Sequence, residues 1–130
     1  MTDKHALIVD DNPKNSKILA MLLRVQGVDS TAVNHPVKLE SMLSSLPDIH
    51  VVFLDLEMPM LNGFQVMDQL RANSRFENVP IIAYSVHSDE LKNVHHYGFN
   101  GFLGKPVDSD SFPAHLKKIL AGEGVWVTST

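Results

Sequence analysis

Val51-Val52-Phe53-Leu54-Asp55 is an apolar run that ends abruptly on a carboxylate, and three other short runs in the chain end as abruptly on a polar residue. Ala6 to Val9 stops at Asp10-Asp11, Ile81 to Tyr84 at Ser85, and Gly101 to Gly104 at Lys105. Short continuous apolar runs of this kind suit strands buried on both faces. As neighbours in a parallel sheet their endings would converge, because ligand crevices in open α/β sheets lie outside the carboxyl ends of the strands. Three carboxylates, a hydroxyl and an ammonium would then share one pocket. That grouping suits a metal ion and a phosphoryl group.

The segments between the runs read as helices. Asn12-Pro13 starts one that carries Ile18, Leu19, Leu22, Leu23 and Val25 on one face and stops at Gly27, since proline suits the first helical position and glycine the end. Val28 to Val33 reads as a strand. Pro36 opens a second helix with Leu39, Met42, Leu43 and Leu46 at helical spacing, closed by Pro47-Asp48. The next strand runs from Ile49 to Leu54, and after a loop with Met58-Pro59 and Asn62-Gly63 a third helix presents Phe64, Met67 and Leu70. Ser88 caps a fourth helix with Leu91 and Val94, ending near Gly98, and a last helix carries Phe112, Leu116, Ile119 and Leu120. Strands and helices alternate strictly, five of each. Right-handed crossovers then give a parallel sheet covered on both faces, a doubly wound α/β sandwich.

Composition bounds the function. A chain of 130 residues with 44% hydrophobic and 20% charged residues fits one globular domain. A net charge of -4 argues against direct nucleic-acid binding, which needs clustered Lys and Arg. Without cysteine there is no disulfide framework and no Cys-based zinc site. The N-terminus meets only a four-residue apolar run, far short of a signal-peptide core or the roughly 20 residues of a spanning helix. The expected setting is the cytoplasm, with no membrane attachment.

Asp10, Asp11 and Asp55, brought within a few ångströms, repel one another unless a cation intervenes. Hard divalent ions with oxygen ligands fit, Mg²⁺ above all, because it binds a few carboxylates and leaves room for a phosphate oxygen. Taken singly, each Asp also suits a turn or a helix cap. Lys105, followed by Pro106, offers a point charge to a phosphoryl oxygen, and Ser85 one donor. His87, His95 and His96 invite a metal reading, but no pair has the i, i+4 spacing of a helical zinc site.

The order Asp10-Asp11, Asp55-Leu56-Glu57-Met58-Pro59-Met60-Leu61-Asn62-Gly63, Ser85 and Lys105-Pro106 resembles the receiver domain of two-component response regulators, from Lys4 to about Ala121. The resemblance implies a flavodoxin-like fold with a five-stranded sheet in the order 2-1-3-4-5. Residues 1–121 would form the receiver and 122–130 an irregular tail with no output domain. It further implies that Asp55 is the phosphoacceptor and that Asp10, Asp11, Asp55 and the backbone carbonyl of Glu57 hold Mg²⁺. Ser85 and Lys105 would grip the phosphoryl oxygens, and the Lys105-Pro106 bond would be cis. The switch would run through Ser85 and Phe102, and an aromatic on a strand is also ordinary packing. Implied partners are a histidine kinase or histidine phosphotransfer protein and a downstream target. The fourth helix, fifth strand and fifth helix would form the output face and a homodimer contact. Such a chain would act as a stand-alone receiver or a phosphorelay intermediate, catalysing only its own phosphorylation and dephosphorylation.

One position departs from the pattern. After the switch hydroxyl the family usually has Ala or Gly, whereas Val86 adds bulk that would narrow access to Asp55. Glu57 and His87 occupy positions that tune dephosphorylation. A haloacid-dehalogenase-like phosphatase with Asp55 as nucleophile is the alternative, since Asp55-Leu56-Glu57 nearly matches its Asp-x-Asp motif. In that family, however, the nucleophile comes first and the acidic pair last. A flavodoxin-like flavin or nucleotide binder would need a Gly-rich or Ser/Thr-rich phosphate loop where this chain has Asp-Asp-Asn-Pro.

Overall fold

The computed structural model describes residues 4–35, 38–58 and 63–128. The chain alternates β1 (His5–Val9), α1 (Pro13–Val25), β2 (Asp29–Val33), α2 (Leu39–Met42), β3 (Val51–Asp55), α3 (Gly63–Arg71), β4 (Ile81–Ser85), α4 (Leu91–Tyr97), β5 (Gly101–Gly104), α5 (Phe112–Leu120) and β6 (Val125–Val127). All strand pairs are parallel, in the order β2-β1-β3-β4-β5-β6. The flavodoxin-like architecture is as the sequence predicts. Pro36, the loop from Pro59 to Asn62 and the capping side chain of Ser88 lie outside the described residues.

Alternation along the strands splits the core in two. Ala6, Ile8, Phe53, Ile82 and Leu103 pack against Leu19 and Leu23 of α1 and Leu116 and Ile119 of α5. Leu7, Val9, Leu54, Ala83 and Phe102 pack against Leu39, Val66, Leu70 and Val94 of α2, α3 and α4. Because both faces are covered, β3 and β4 are buried at every position. The centre of the sheet therefore turns only its strand ends toward solvent.

Two stretches differ from the sequence reading. The segment 122–130, expected to be an irregular tail, contains β6, so the sheet has six strands rather than five. Its three residues, Val125, Trp126 and Val127, all favour pleated surfaces but are too few to display a period. The second helix is also cut short. After Met42 the chain tightens into a 3₁₀ turn, Leu43–Ser45, where Ser45 Oγ donates to the Met42 carbonyl at 2.9 Å and Ser41 Oγ to that of Lys38 at 2.8 Å. Hydroxyls that bond the preceding turn compete with regular helix.

Opposite the strand ends, Arg71 ties the base of the fold. Its guanidinium donates to the carbonyls of Phe76 at 2.6 Å and Val79 at 3.0 Å and to Asn100 Oδ1 at 2.7 Å. The same Asn100 oxygen accepts the Ile81 N–H at 2.9 Å. Arg75 reinforces this end by donating to the Leu43, Leu46 and Pro47 carbonyls after α2.

Candidate functional site

Parallel pairing sets the ends of β1, β3, β4 and β5 side by side, and with them the residues that end the apolar runs. Oxygens of Asp10, Asp11 and Asp55 lie within 4.8 Å of one another. Asp10 and Asp55 are buried, at 0% and 2% exposure, and Asp11 is half-buried. Asp10 Oδ1 accepts the Asn12 N–H at 2.8 Å, while Asp10 Oδ2 is buried without a hydrogen-bond partner. A buried carboxylate oxygen lacking a donor is costly unless a cation meets it.

Lys105 supplies one positive charge. Its Nζ lies 3.0 Å from Asp55 Oδ1 and 3.5 Å from Asp10 Oδ2, and 4.4 Å from the centre of the Tyr84 ring. The ammonium thus sits between two carboxylates and over an aromatic face that favours cations. Burial nevertheless dominates Asp55, pushing its carboxyl up to about 7; Lys105 lowers it, Asp10 raises it, and the Glu57 N–H lowers it by a hydrogen bond of 3.1 Å. The Tyr84 hydroxyl is pushed up to about 12 by burial and by the charges of Asp10 and Asp55. A single ammonium does not offset this concentration of acid.

Ser85 is fully buried, and its hydroxyl faces Glu57. Ser85 Oγ donates to Glu57 Oε1 at 2.5 Å and accepts the His87 N–H at 2.9 Å, and the His87 ring nitrogen lies 3.7 Å from the same carboxylate oxygen. Val86 points outward, 61% exposed, and Phe102 is fully buried beside Ala83. Lys105 N–H bonds to the Ser85 carbonyl at 2.8 Å, which extends the β4–β5 pairing to the residues that matter, and the Lys105-Pro106 bond is cis.

The structure also gives residues site roles that the sequence reading did not assign to them. Asn34 Nδ2 donates to the Asp10 carbonyl at 2.8 Å and to Ser16 Oγ at 3.0 Å, and so fixes the turn that carries the acids. A signal existed, because Asn34 is the polar residue that ends the second strand. Asn12 caps α1 through its side chain, which accepts the Lys14 and Asn15 N–H groups. Tyr84 left no signal, since an aromatic in a buried strand reads as packing. Gly63 opens α3 hard against the acceptor: a Cβ there would meet the Asp55 carbonyl at 2.8 Å and the Leu56 Cα at 2.9 Å. Gly63→Ala is therefore expected to displace the Asp55 loop at a cost of about 1–3 kcal/mol, read from denaturant midpoints.

Comparison with known sequences fixes the family. The profile of the response regulator receiver domain matches residues 6–117. The chain belongs to that family. Among relatives of the receiver, Hybrid signal transduction histidine kinase D of Dictyostelium discoideum is 28% identical over 88% of this chain, which spans only 7% of that protein's length. The Chemotaxis protein CheY homolog of Campylobacter jejuni is 27% identical, with 91% of the receiver and 95% of the relative covered. In three dimensions it resembles the receiver domain of a sensor histidine kinase from Pseudomonas aeruginosa PAO1, crystallised with magnesium ion coordinated in the active site cleft. That likeness has a TM-score of 0.78 and 24% identity, covering 92% of this chain and 99% of the other. The receiver is thus a module of two-component signalling. Among the described residues no helix is long and apolar enough to cross a membrane.

Proposed function

We propose that the receiver accepts a phosphoryl group on Asp55 from a phosphohistidine of a histidine kinase or histidine phosphotransfer protein, and passes the signal on as a conformational change. The observation that carries the reading is the gathering of Asp10, Asp11 and Asp55 within 4.8 Å beside Lys105, with Asp10 Oδ2 buried, without a hydrogen bond, and paired with the Lys105 ammonium at 3.5 Å. An all-oxygen donor set of three clustered carboxylates beside one ammonium fits Mg²⁺. Asp10, Asp11, Asp55 and the Glu57 carbonyl would hold it, and when bound it neutralises charge on the transferring group.

The chain's own residues do the rest. An Asp55 carboxylate oxygen forms a bond to phosphorus as the bond from phosphorus to the donor imidazole nitrogen breaks, with the electron pair leaving on that nitrogen. The products are an acyl phosphate and a histidine. Lys105 then bonds a phosphoryl oxygen, and Ser85 does so once its hydroxyl leaves Glu57. Glu57 and His87, which already touch Ser85, tune the return reaction with water. Phe102 carries the change toward α4, β5 and α5, the surface for a downstream target or a second receiver. The cytoplasm is the matching compartment.

Incubation with Mg²⁺ and acetyl phosphate tests this reading. The expected result is one alkali-labile phosphoryl group per chain and no steady turnover of p-nitrophenyl phosphate. Sustained turnover would favour the haloacid-dehalogenase-like alternative and overturn the receiver reading. Val86→Ala is expected to speed this labelling several-fold by clearing the approach to Asp55; an unchanged rate would remove Val86 from the access route.

A further inference from the structure

The sixth strand lies along β5 at the edge of the sheet, on the flank where the family's output face would lie. Its register is Gly101↔Val125, Phe102↔Trp126 and Leu103↔Val127. Trp126 lies on the same face as Phe102, packs against the cluster that contains Phe102 and Val94, and places its ring centre 4.6 Å from that of His95 on α4. Val125 and Val127 enter the opposite cluster, with Leu116 and Ile119 of α5. The strand is thus wedged between the two helices that flank β5.

Residue 101 shows that β5 is shaped to receive it. A Cβ at Gly101 would stand 2.6 Å from the Val125 carbonyl oxygen, so the close approach depends on the missing side chain. Neighbouring strands lie about 4.8 Å apart, and side chains paired on one face are in contact. The Phe102 ring therefore has no room to swing toward the sheet edge while Trp126 is seated. It is held inward, at 0% exposure.

We propose that β6 is a brace that holds Phe102 in the arrangement favoured by a phosphoryl group on Asp55, so that seating of the strand and modification of Asp55 reinforce one another. This rests on the receiver reading given above. Ser85 and Ala83 alternate onto the face of β4 that Phe102 adjoins. When the Ser85 hydroxyl turns to the phosphoryl group, it leaves space on that side, and inward Phe102 fills it. Coupling between two such events is reciprocal. A seated β6 raises the affinity of the site, and an occupied site tightens β6.

The test uses beryllium fluoride with Mg²⁺ as the phosphoryl stand-in on the full chain, with binding followed by fluorine NMR and amide exchange followed at residues 125–127. In the wild type, occupancy should slow exchange of β6. Trp126→Ala should raise the half-saturating concentration about fivefold or more, the lower end of ordinary coupling. His95→Ala, which removes the stacked ring and leaves the strand sequence intact, should move it the same way by less, and it serves if Trp126→Ala folds poorly. Equal half-saturation in wild type and both variants, or faster exchange of β6 on occupancy, would overturn the brace while leaving the receiver reading standing. Absence of any wild-type binding that Asp55→Asn abolishes would remove the receiver reading, and the brace with it.

Discussion

Asp55→Asn is expected to lose all covalent labelling and, in metal-free buffer, to become more stable than the parent chain as the pH rises. The first effect follows because an amide offers no anionic oxygen to phosphorus. The second follows from burial. In the folded chain Asp55 keeps its proton up to about 7, against 3.8 for an ordinary aspartate. Between those values the native state binds more protons than the unfolded state, so its advantage is complete below the lower value and is lost as the pH climbs through the upper one. The loss amounts to about 1 kcal/mol for each pH unit within the window. Asparagine, neutral throughout, escapes it. Denaturant midpoints of both proteins in chelator, from about pH 5 to about pH 8, should diverge in favour of the variant, and added Mg²⁺ should narrow the gap. Parallel curves would show that Asp55 does not carry this charge strain.

Lys105→Met should act in two opposing ways. Removing the ammonium 3.0 Å from Asp55 and 3.5 Å from Asp10 leaves two buried carboxylates facing each other. Metal-free stability at about pH 8 should fall by on the order of 2 kcal/mol, less than for a wholly buried pair because Asp55 can take up a proton instead. Affinity for Mg²⁺, by contrast, should rise about tenfold, since one competing positive charge has left the cluster. Titration calorimetry reads the affinity and denaturation the stability. In an Asp55→Asn background the stability loss should shrink, because one of the two facing charges is already gone. A full loss there would mean that Lys105 acts through packing over Tyr84 and not through charge.

The parts of the site that lie at strand ends were legible in the sequence. Asp10, Asp11, Asp55 and Lys105 each follow a buried run, and parallel pairing carries a one-dimensional pattern directly into a shared crevice. Contacts made across the crevice had no such signature. The hydrogen bond from Ser85 to Glu57 spans 28 residues and depends on a rotamer, and Tyr84 under Lys105 is part of a run that burial alone explains. The sixth strand was hidden by its length, and its place beside β5 depends on the absence of a side chain at Gly101, which reads in isolation as an unremarkable glycine.

The Arg71 tie at the base has a mechanical consequence. By fastening the end of α3, the turn ahead of β4 and Asn100 before β5 to one planar cation, it makes the lower ends of the last strands a stiff plinth. Above it α4 is short, has Val94 as its buried residue, and ends at Gly98 in a left-handed conformation with φ of 103°. His95, one turn before that end, stacks on Trp126, and Leu91 in the first turn of α4 packs half-buried against the core, so the helix is fastened to the sheet at both ends.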